Sequence, residues 1–380
     1  MHTLSRDTIK QLVELSHSPG LMLSCYVNLK VQGASERPGI LKIKHAASLL
    51  KQSIPESLSE RTEFEQNMNR IIKALDDPSL HNNHAIAIFT AKQRDQFMIV
   101  PLGMPILTEL VNSDRPYLVP LLQCHFAQQR EYLGLTFDND QARIFLANAG
   151  TVKLLKHWHS DVPTKQHSSG DRGAWSQSNI ASRREEMLDR HQKEMIDGFS
   201  KALQEHPQAG ILLLGHEVEV TQLKNKLPPH LSGRLVHTGV CNNMDSEKSQ
   251  SKTILEIVRK QNVLHAQSLL KELKRRQSLK TSCAVGPADV LAALDTGRLT
   301  QKGSLLLGPD PKEDAFLCTS CRHLALDEVK QCPRCGSGCK SCNLWEEILL
   351  RAFRHQWNVV PVDGSEGLTK SGFIAMLLEV

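Results

Sequence analysis

What the chain lacks narrows it first. None of its 380 residues lies in a run approaching the ~18 consecutive apolar side chains that a membrane-spanning helix requires, so a helical membrane protein is not expected. The opening "MHTLSRDTIKQLVELSH" sets charged residues among apolar ones at helical spacing and lacks the unbroken apolar centre of a secretory signal. Walker loops, Gly-x-Gly-x-x-Gly and Gly-x-Ser-x-Gly are all missing, which leaves nucleotide-driven chemistry and a hydrolase triad without residues to build on. No internal repeat is present. Nor does charge of one sign dominate: 46 Lys+Arg against 41 Asp+Glu leave +5, which permits nucleic-acid contact without demanding it.

What is present reads as α/β in more than one domain, since a chain of this length exceeds what one core usually serves. "MLSCYV" from Met22, "HAIAIFTA" and "QFMIVPL" are short apolar runs that predict buried strands, and residues 40–53 and 56–75 predict helices, with Ile40, Ile43, Ala47 and Leu50 on one face. A new unit begins near Gln129. There "EYLGLTF", the turn residues Asp138-Asn139-Asp140, "ARIFLA" and "TVKLLKHW" predict an antiparallel meander. A polar loop and a helix from about Ser178 to Glu205 follow, with Leu188, Met195, Phe199 and Leu203 as its apolar stripe and Ser178 or Ser182 as its cap. "AGILLLGH" suits a central strand. Residues 242–252 read as a polar linker, and "ILEIVRKQNVLHAQSLLKELKRR" as a helix leading into a last α/β unit. The expected domains are therefore 1–127, 128–250 and 251–380.

Of ten cysteines, six crowd into residues 318–342. Cys318-x2-Cys321 and Cys332-x2-Cys335, ten residues apart, have the spacing of two thiolate knuckles around one tetrahedral zinc ion, with room for a β-hairpin between them. Four sulfurs would leave no open position for a catalytic water, so the zinc is expected to be structural, in an insertion spanning 316–343. Cys339 and Cys342 form a third pair whose membership stays open, and a disulfide cluster is the alternative disfavoured by compartment. Cys25, Cys124, Cys241 and Cys283 are expected to fill core space. His157 and His159, flanking Trp158 on a strand, read as surface residues.

The least ordinary stretch is "KQHSSGDRGAWSQSNIASRREEMLDRHQ", residues 165–192. Its glycines allow a backbone to approach RNA closely, Trp175 can stack on a base, and Lys165, His167, Arg172, Arg183 and Arg184 can contact phosphates. By residue type alone it is equally a surface loop whose tryptophan packs on its own domain and whose arginines are solvated.

Three parts together carry a resemblance. The α/β first domain, Gly173 and Gln177 ahead of the arginine-rich "IASRREEMLDRH", and "GPADVLAALDTGRL" with Gly286, Val290, Ala293, Leu294 and Gly297 resemble the archaeal and eukaryotic class-one peptide release factors, their Pelota relatives and the bacterial branch of that superfamily. The resemblance implies three α/β domains in release-factor arrangement, an RNase-H-like central domain, and a zinc-ribbon insertion in the last. It also implies a cytoplasmic ribosome-bound factor in contact with large-subunit rRNA and peptidyl-tRNA, with Gln177 and Gly173 as catalytic residues and a GTPase such as elongation factor Tu as partner. Two departures qualify it. The family's Asn-Ile-Lys-Ser loop and Tyr-x-Cys-x3-Phe strand are replaced by "ILKIKHAA" and by "LLQCHF", in which Cys124 and Phe126 are wrongly spaced, so stop-codon reading is not expected. In the Gly-Gly-Gln loop, Ala174 replaces the second glycine and Trp175-Ser176 precedes Gln177, leaving two roles open: ester hydrolysis in ribosome rescue, or non-catalytic occupancy of the A site in the manner of Balon or Pelota.

Overall fold

The computed structural model describes residues 4–15, 22–29, 38–53, 58–91, 95–106, 110–114, 116–138, 141–159, 174–241, 246–295, 303–308, 314–362, 368 and 374–378. They form four sheets in a multidomain α/β protein, and the chain divides into two compact units, one of residues 128–262 and one joining residues 1–127 to 263–380.

In the joined unit, strands β1 (Met22–Asn28), β2 (Ala85–Ala91), β3 (Gln96–Leu102) and β4 (Leu110–Asp114) make an antiparallel sheet in the order β3-β2-β1-β4. Both faces of its centre are buried, which is why β1 and β2 read as continuous apolar runs rather than alternating ones. Leu23, Cys25, Val27, Ile86 and Ile88 point to helices α2 (Pro38–Ser53) and α3 (Leu58–Leu75), meeting Ile43, Phe64, Met68 and Ile71. Tyr26, Ala87 and Phe89 point the other way, to α1 (Arg6–Leu15) and α4 (Val119–Gln128). Helix α4 contains "LLQCHF", matched above to a strand motif; the structure makes it helical, with Leu121, Leu122, Cys124 and Phe126 buried.

The second sheet of this unit combines β10 (Cys283–Val285), β11 (Ser304–Leu307), β15 (Asn358–Pro361) and β16 (Ile374–Leu377) in the order β10-β16-β11-β15. Alternate residues serve different cores: Leu306 and Ala375 pack with Ala266, Leu270 and Leu273, whereas Leu305, Leu307, Ile374 and Met376 join the cluster of Tyr26 and Phe89. That shared cluster also takes in helix α9 (Pro287–Asp295) and helix α10 (Leu344–His355), whose Trp345 is fully buried. Glu346 is only 4% exposed, and its Oε1 accepts a hydrogen bond from the Leu118 backbone N–H at 3.1 Å.

The other unit is a five-stranded sheet ordered β7-β6-β5-β8-β9. Strands β5 (Tyr132–Phe137), β6 (Gln141–Ala147) and β7 (Val152–His159) form the expected antiparallel meander, and β8 (Gly210–Gly215) and β9 (Leu235–Gly239) extend it in parallel from β5. On one face, α5 (Ala174–Glu205), α6 (Glu217–Lys226) and the short α7 (Pro229–Ser232) cover Leu133, Leu135, Ile144, Ile211 and Leu213. On the other, Ile254 and Val258 of α8 (Glu247–Leu279) cover Tyr132, Phe145, Leu212 and Leu214, and Arg143 donates to Gln250 at 2.8 Å. The stretch 242–252, read above as a linker, is thus already helical from Glu247, because Gln250 and Ile254 are buried against the sheet.

Candidate functional site

Helix α5 begins at Ala174, ahead of both caps expected from the sequence, so Trp175 and Gln177 belong to its first turn and not to the loop before it. Gly173, Lys165, His167 and Arg172 lie outside the described residues, and for Trp175, Gln177 and Arg184 the backbone alone is described. Arg183 is exposed.

How α5 is held shows what it presents. Its buried residues are Met195, Phe199, Ala202 and Leu203 on the sheet, and His191 just before them. Trp158 of β7 lies against Gly198, where a Cβ would come within 2.5 Å of the indole ring, so the close crossing of strand and helix requires glycine there. From Ser182 to Arg190, by contrast, every described side chain is exposed or half-buried. At 1.5 Å per residue, the fourteen positions between Gln177 and His191 span about 21 Å. The backbone of Gln177 thus lies in the first turn of the helix whose later turns, from His191 on, are buried on the sheet. A helix N-terminus carries backbone N–H groups without intrahelical partners and the positive pole of the helix dipole.

His191 is 2% exposed where α5 meets the sheet, and among the described residues neither ring nitrogen has a hydrogen-bond partner. Burial, chiefly, pushes its pKa below the ordinary 6.5; His159 acts in the same direction, while Glu194 and Asp138 oppose it. A folded pKa below the unfolded value means that the unfolded chain takes up the proton first, so the stability contributed by neutral His191 is present above about pH 6.5 and is lost as pH falls through the folded pKa. Urea midpoints at pH 7.5 and 5.5 should show a smaller acid loss in His191→Leu than in the wild-type chain; equal losses would remove His191 from the account.

The cysteines form the second constellation. The Sγ atoms of Cys318, Cys321, Cys332 and Cys335 all lie within 4.8 Å of one another, with Cys318 and Cys335 at 3.4 Å and Cys321 and Cys332 at 3.6 Å. A tetrahedral ion with metal–sulfur bonds of ~2.3 Å separates its sulfurs by about 3.8 Å, so these four can hold one ion. Each knuckle is wound accordingly. The N–H groups of Ser320 and Cys321 point at Cys318 Sγ, and that of Arg334 at Cys332 Sγ, each at 3.4 Å. Arg322 and Gly336 take left-handed φ values of 57° and 76° to close the turns. The Ser337 backbone N–H, foremost, and its side chain bring the Cys335 thiol down to about 6, favouring the thiolate a metal needs.

The span between the pairs is no independent hairpin: β13 (Leu324–Ala325) pairs with β12 (Asp314–Cys318), which also pairs with β14 (Cys339–Asn343). Cys342 sits in the apolar cluster with Ala315 and Leu317, outside the set of four, and Cys339 lies opposite Cys318 in the β12–β14 register. Cys25, Cys124 and Cys241 are buried and Cys283 half-buried, as core-filling thiols should be, while His157 and His159 are exposed.

Residues 116–261, from the start of α4 to the middle of α8, match the family described as bacterial archaeo-eukaryotic release factor family 10. Over this segment the chain is similar to that release-factor family. The matched segment contains all of β5–β9 and α5, and with them Gln177. Among solved structures, archaeal translation termination factor aRF1 aligns over 100% of this chain and 99% of its own, at 17% identity and a TM-score of 0.28. Archaeoglobus fulgidus Pelota aligns over 78% of each chain at 13% identity and a TM-score of 0.32. S. cerevisiae Dom34, described as a translation termination-like factor involved in RNA quality control pathways and interacting with Hbs1, aligns over 78% of this chain and 79% of its own, at 11% identity and a TM-score of 0.40. Superpositions this loose assign no residue a role. No curated protein matches the chain.

Proposed function

We propose that this protein is a cytoplasmic, ribosome-associated factor that occupies the A site and promotes hydrolysis of the peptidyl-tRNA ester in ribosome rescue or quality control, rather than at stop codons. The observation that carries the reading is the release-factor match over residues 116–261, a segment that includes Gly173 and the first turn of α5 with Gln177. Release of a nascent chain is attack by water on an ester carbonyl. The large-subunit RNA surrounds that carbonyl, so the factor's task is to reach in, displace bulk water and fix one nucleophile. A neutral amide orients a water without titrating, and an arm of about 21 Å gives it reach. The helix terminus suits an anionic surround, and Arg183 is exposed on the same arm.

Large-subunit rRNA and peptidyl-tRNA are the partners on this reading, together with a translational GTPase such as elongation factor Tu. Stop-codon recognition is left out because the stretches "ILKIKHAA" and "LLQCHF" lie in α2 and α4. The four thiolates are read as a structural zinc site, closed to substrate.

One observation favours the second role, non-catalytic occupancy of the A site in hibernation or ribosome splitting. Ala174, Trp175, Ser176 and Gln177 are all helical, so Gln177 lacks the backbone freedom of a glycine-flanked loop. A single assay separates the two. Large subunits loaded with peptidyl-tRNA should release peptide when given the protein, and Gln177→Ala should slow release about 100-fold, the cost of a mispositioned reactant. Binding without release by the wild-type protein would establish the occupant; equal release by wild type and variant would refute Gln177 as the water-positioning group.

A further inference from the structure

Beside the four-cysteine site, the structure gathers guanidinium groups that neither the ribbon nor the release reading uses. Glu347, Arg351 and Arg354 follow one another at i, i+4 and i+7 on α10, along one face of the helix. Arg322, in the left-handed turn just after Cys321, reaches this face: its Nη2 donates to Glu347 Oε2 at 3.0 Å, and its carbonyl accepts from Arg351 Nη2 at 2.6 Å. The metal-holding knuckle thereby sets the position of one arginine and the helix sets two more.

Charge within this group does not balance. Glu347 is buried and already bonded to Arg322, and among the described residues no carboxylate hydrogen-bonds Arg354, which is exposed. The other nearby carboxylate, Asp295, accepts from Arg334 at 2.7 Å and lies 3.4 Å from His323 Nδ1. The surroundings add to the excess. Between Cys318 and His355 the chain has six Lys and Arg against four acids, and two of those acids, Glu346 and Glu347, are buried. Burial, first, holds both Arg351 and Arg354 below the ordinary arginine range; Arg322 acts in the same direction, whereas Glu347, and for Arg351 also Asp295, oppose it. A structural ion-pair network would pair its cations with acids, and this one leaves Arg354 at the surface without one.

We propose that Arg322, Arg351 and Arg354 form an anion-binding site for phosphate groups of RNA. A planar carboxylate is saturated by one bidentate guanidinium, whereas a tetrahedral phosphate offers oxygens in several directions and suits several forks converging from different elements. RNA is the source of phosphate in a chain read as ribosome-associated, and the identification of the polymer rests on that reading; the anion site itself does not. The site is built from the ribbon and α10 and uses no residue of α5.

The test uses the full-length metal-loaded protein and a short fluorescent oligouridylate, titrated across a range of salt concentrations. Arg354 is the cleanest residue to change, since its removal unpairs no buried carboxylate. Arg354→Glu should weaken binding about 10-fold or more and lower the slope of log affinity against log salt by about one, as loss of a phosphate contact does. Arg354→Lys should restore part of the affinity, and metal content should match wild type in both variants. Unchanged affinity and slope in Arg354→Glu would overturn the proposal. So would tighter, Arg354-dependent binding of poly-glutamate, which would make the patch a docking site for an acidic protein. Competition by inorganic phosphate as effective as by RNA on a per-phosphate basis would keep the anion site and remove the polymer from it. Arg354-dependent binding of the oligonucleotide by a protein that releases no peptide would fail the release reading alone, which separates the two failures.

Discussion

Cys332→Ser is expected to abolish zinc binding and unravel the ribbon. Cys332 is 3% exposed, its Sγ lies 3.6 Å from that of Cys321, its N–H donates to the Ser337 carbonyl at 2.7 Å, and its carbonyl accepts from Gly336. The other contacts of this segment are few and polar: β13 has only two residues, the Gln331–Gly338 bridge closes the second knuckle on itself, the Thr319 N–H donates to the Gly338 carbonyl at 3.1 Å, and Arg334 donates to Asp295 at 2.7 Å. Structural zinc contributes about 10–16 kcal/mol of apparent binding energy in isolated zinc-finger peptides, so losing one of four thiolates should remove most of the ribbon's order. Elemental analysis should give zinc near one per chain in the wild type and near zero in the variant, with new protease cleavage between Cys318 and Cys339. Cys342→Ala should keep its zinc, because Cys342 packs with Ala315 and Leu317 and not with the four sulfurs. Full zinc content in Cys332→Ser would refute the four-thiolate assignment. Loss of zinc should also loosen RNA in the assay above, since the knuckle positions Arg322.

Phe199→Ala is expected to cost about 3–5 kcal/mol, the range for deleting a fully buried aromatic ring. Phe199 is 0% exposed in the cluster that joins α5 to Leu133, Ile144 and Leu213. It lies next to Gly198, where Trp158 crosses the helix, so the loss falls on the anchored half of α5. Urea unfolding should shift to a lower midpoint, and peptide release should fall at temperatures where the 128–262 unit begins to open. Arg183→Ala, on the exposed arm, should move the midpoint by no more than about 0.5 kcal/mol, as surface substitutions do. A shift below about 1 kcal/mol in Phe199→Ala would mean that the arm is held by something other than this core.

The elements that could be read from the sequence are those whose signal lies within a few residues. Alternation and turn residues marked the meander of β5, β6 and β7, a continuous apolar run marked β8, and the stripe of Met195, Phe199 and Leu203 marked the anchored part of α5. Paired Cys-x2-Cys spacing marked four cysteines whose sulfurs the fold brings within 4.8 Å of one another. Misreadings arose where local signals compete. "LLQCHF" is a short apolar run without helical or strand periodicity, and such runs suit either state; burial on both sides between β1 and α10 selected the helix. Ser178 and Ser182 both have capping chemistry, yet α5 starts before either, at Ala174. Polarity made residues 247–252 look like a linker, although Gln250 is fully buried and bonded to Arg143.

By itself, then, the sequence determined most of the strands and helices and the paired-cysteine spacing, because each depends on residues that are neighbours along the chain, while the start of α5, which takes Gln177 into the helix, was not legible there. Only the tertiary structure decided which elements share a core. The Leu118–Glu346 hydrogen bond joins residues 228 positions apart, and Arg322 finds Glu347 across the ribbon. Such partnerships follow from which faces remain apolar after every helix and sheet has formed, a condition satisfied by the whole chain at once and written in no single window of it. The guanidinium cluster is of this kind. Two of its members could be seen at helical spacing in the sequence, and the third, with the buried carboxylate that orients it, became visible only when the knuckle folded onto α10.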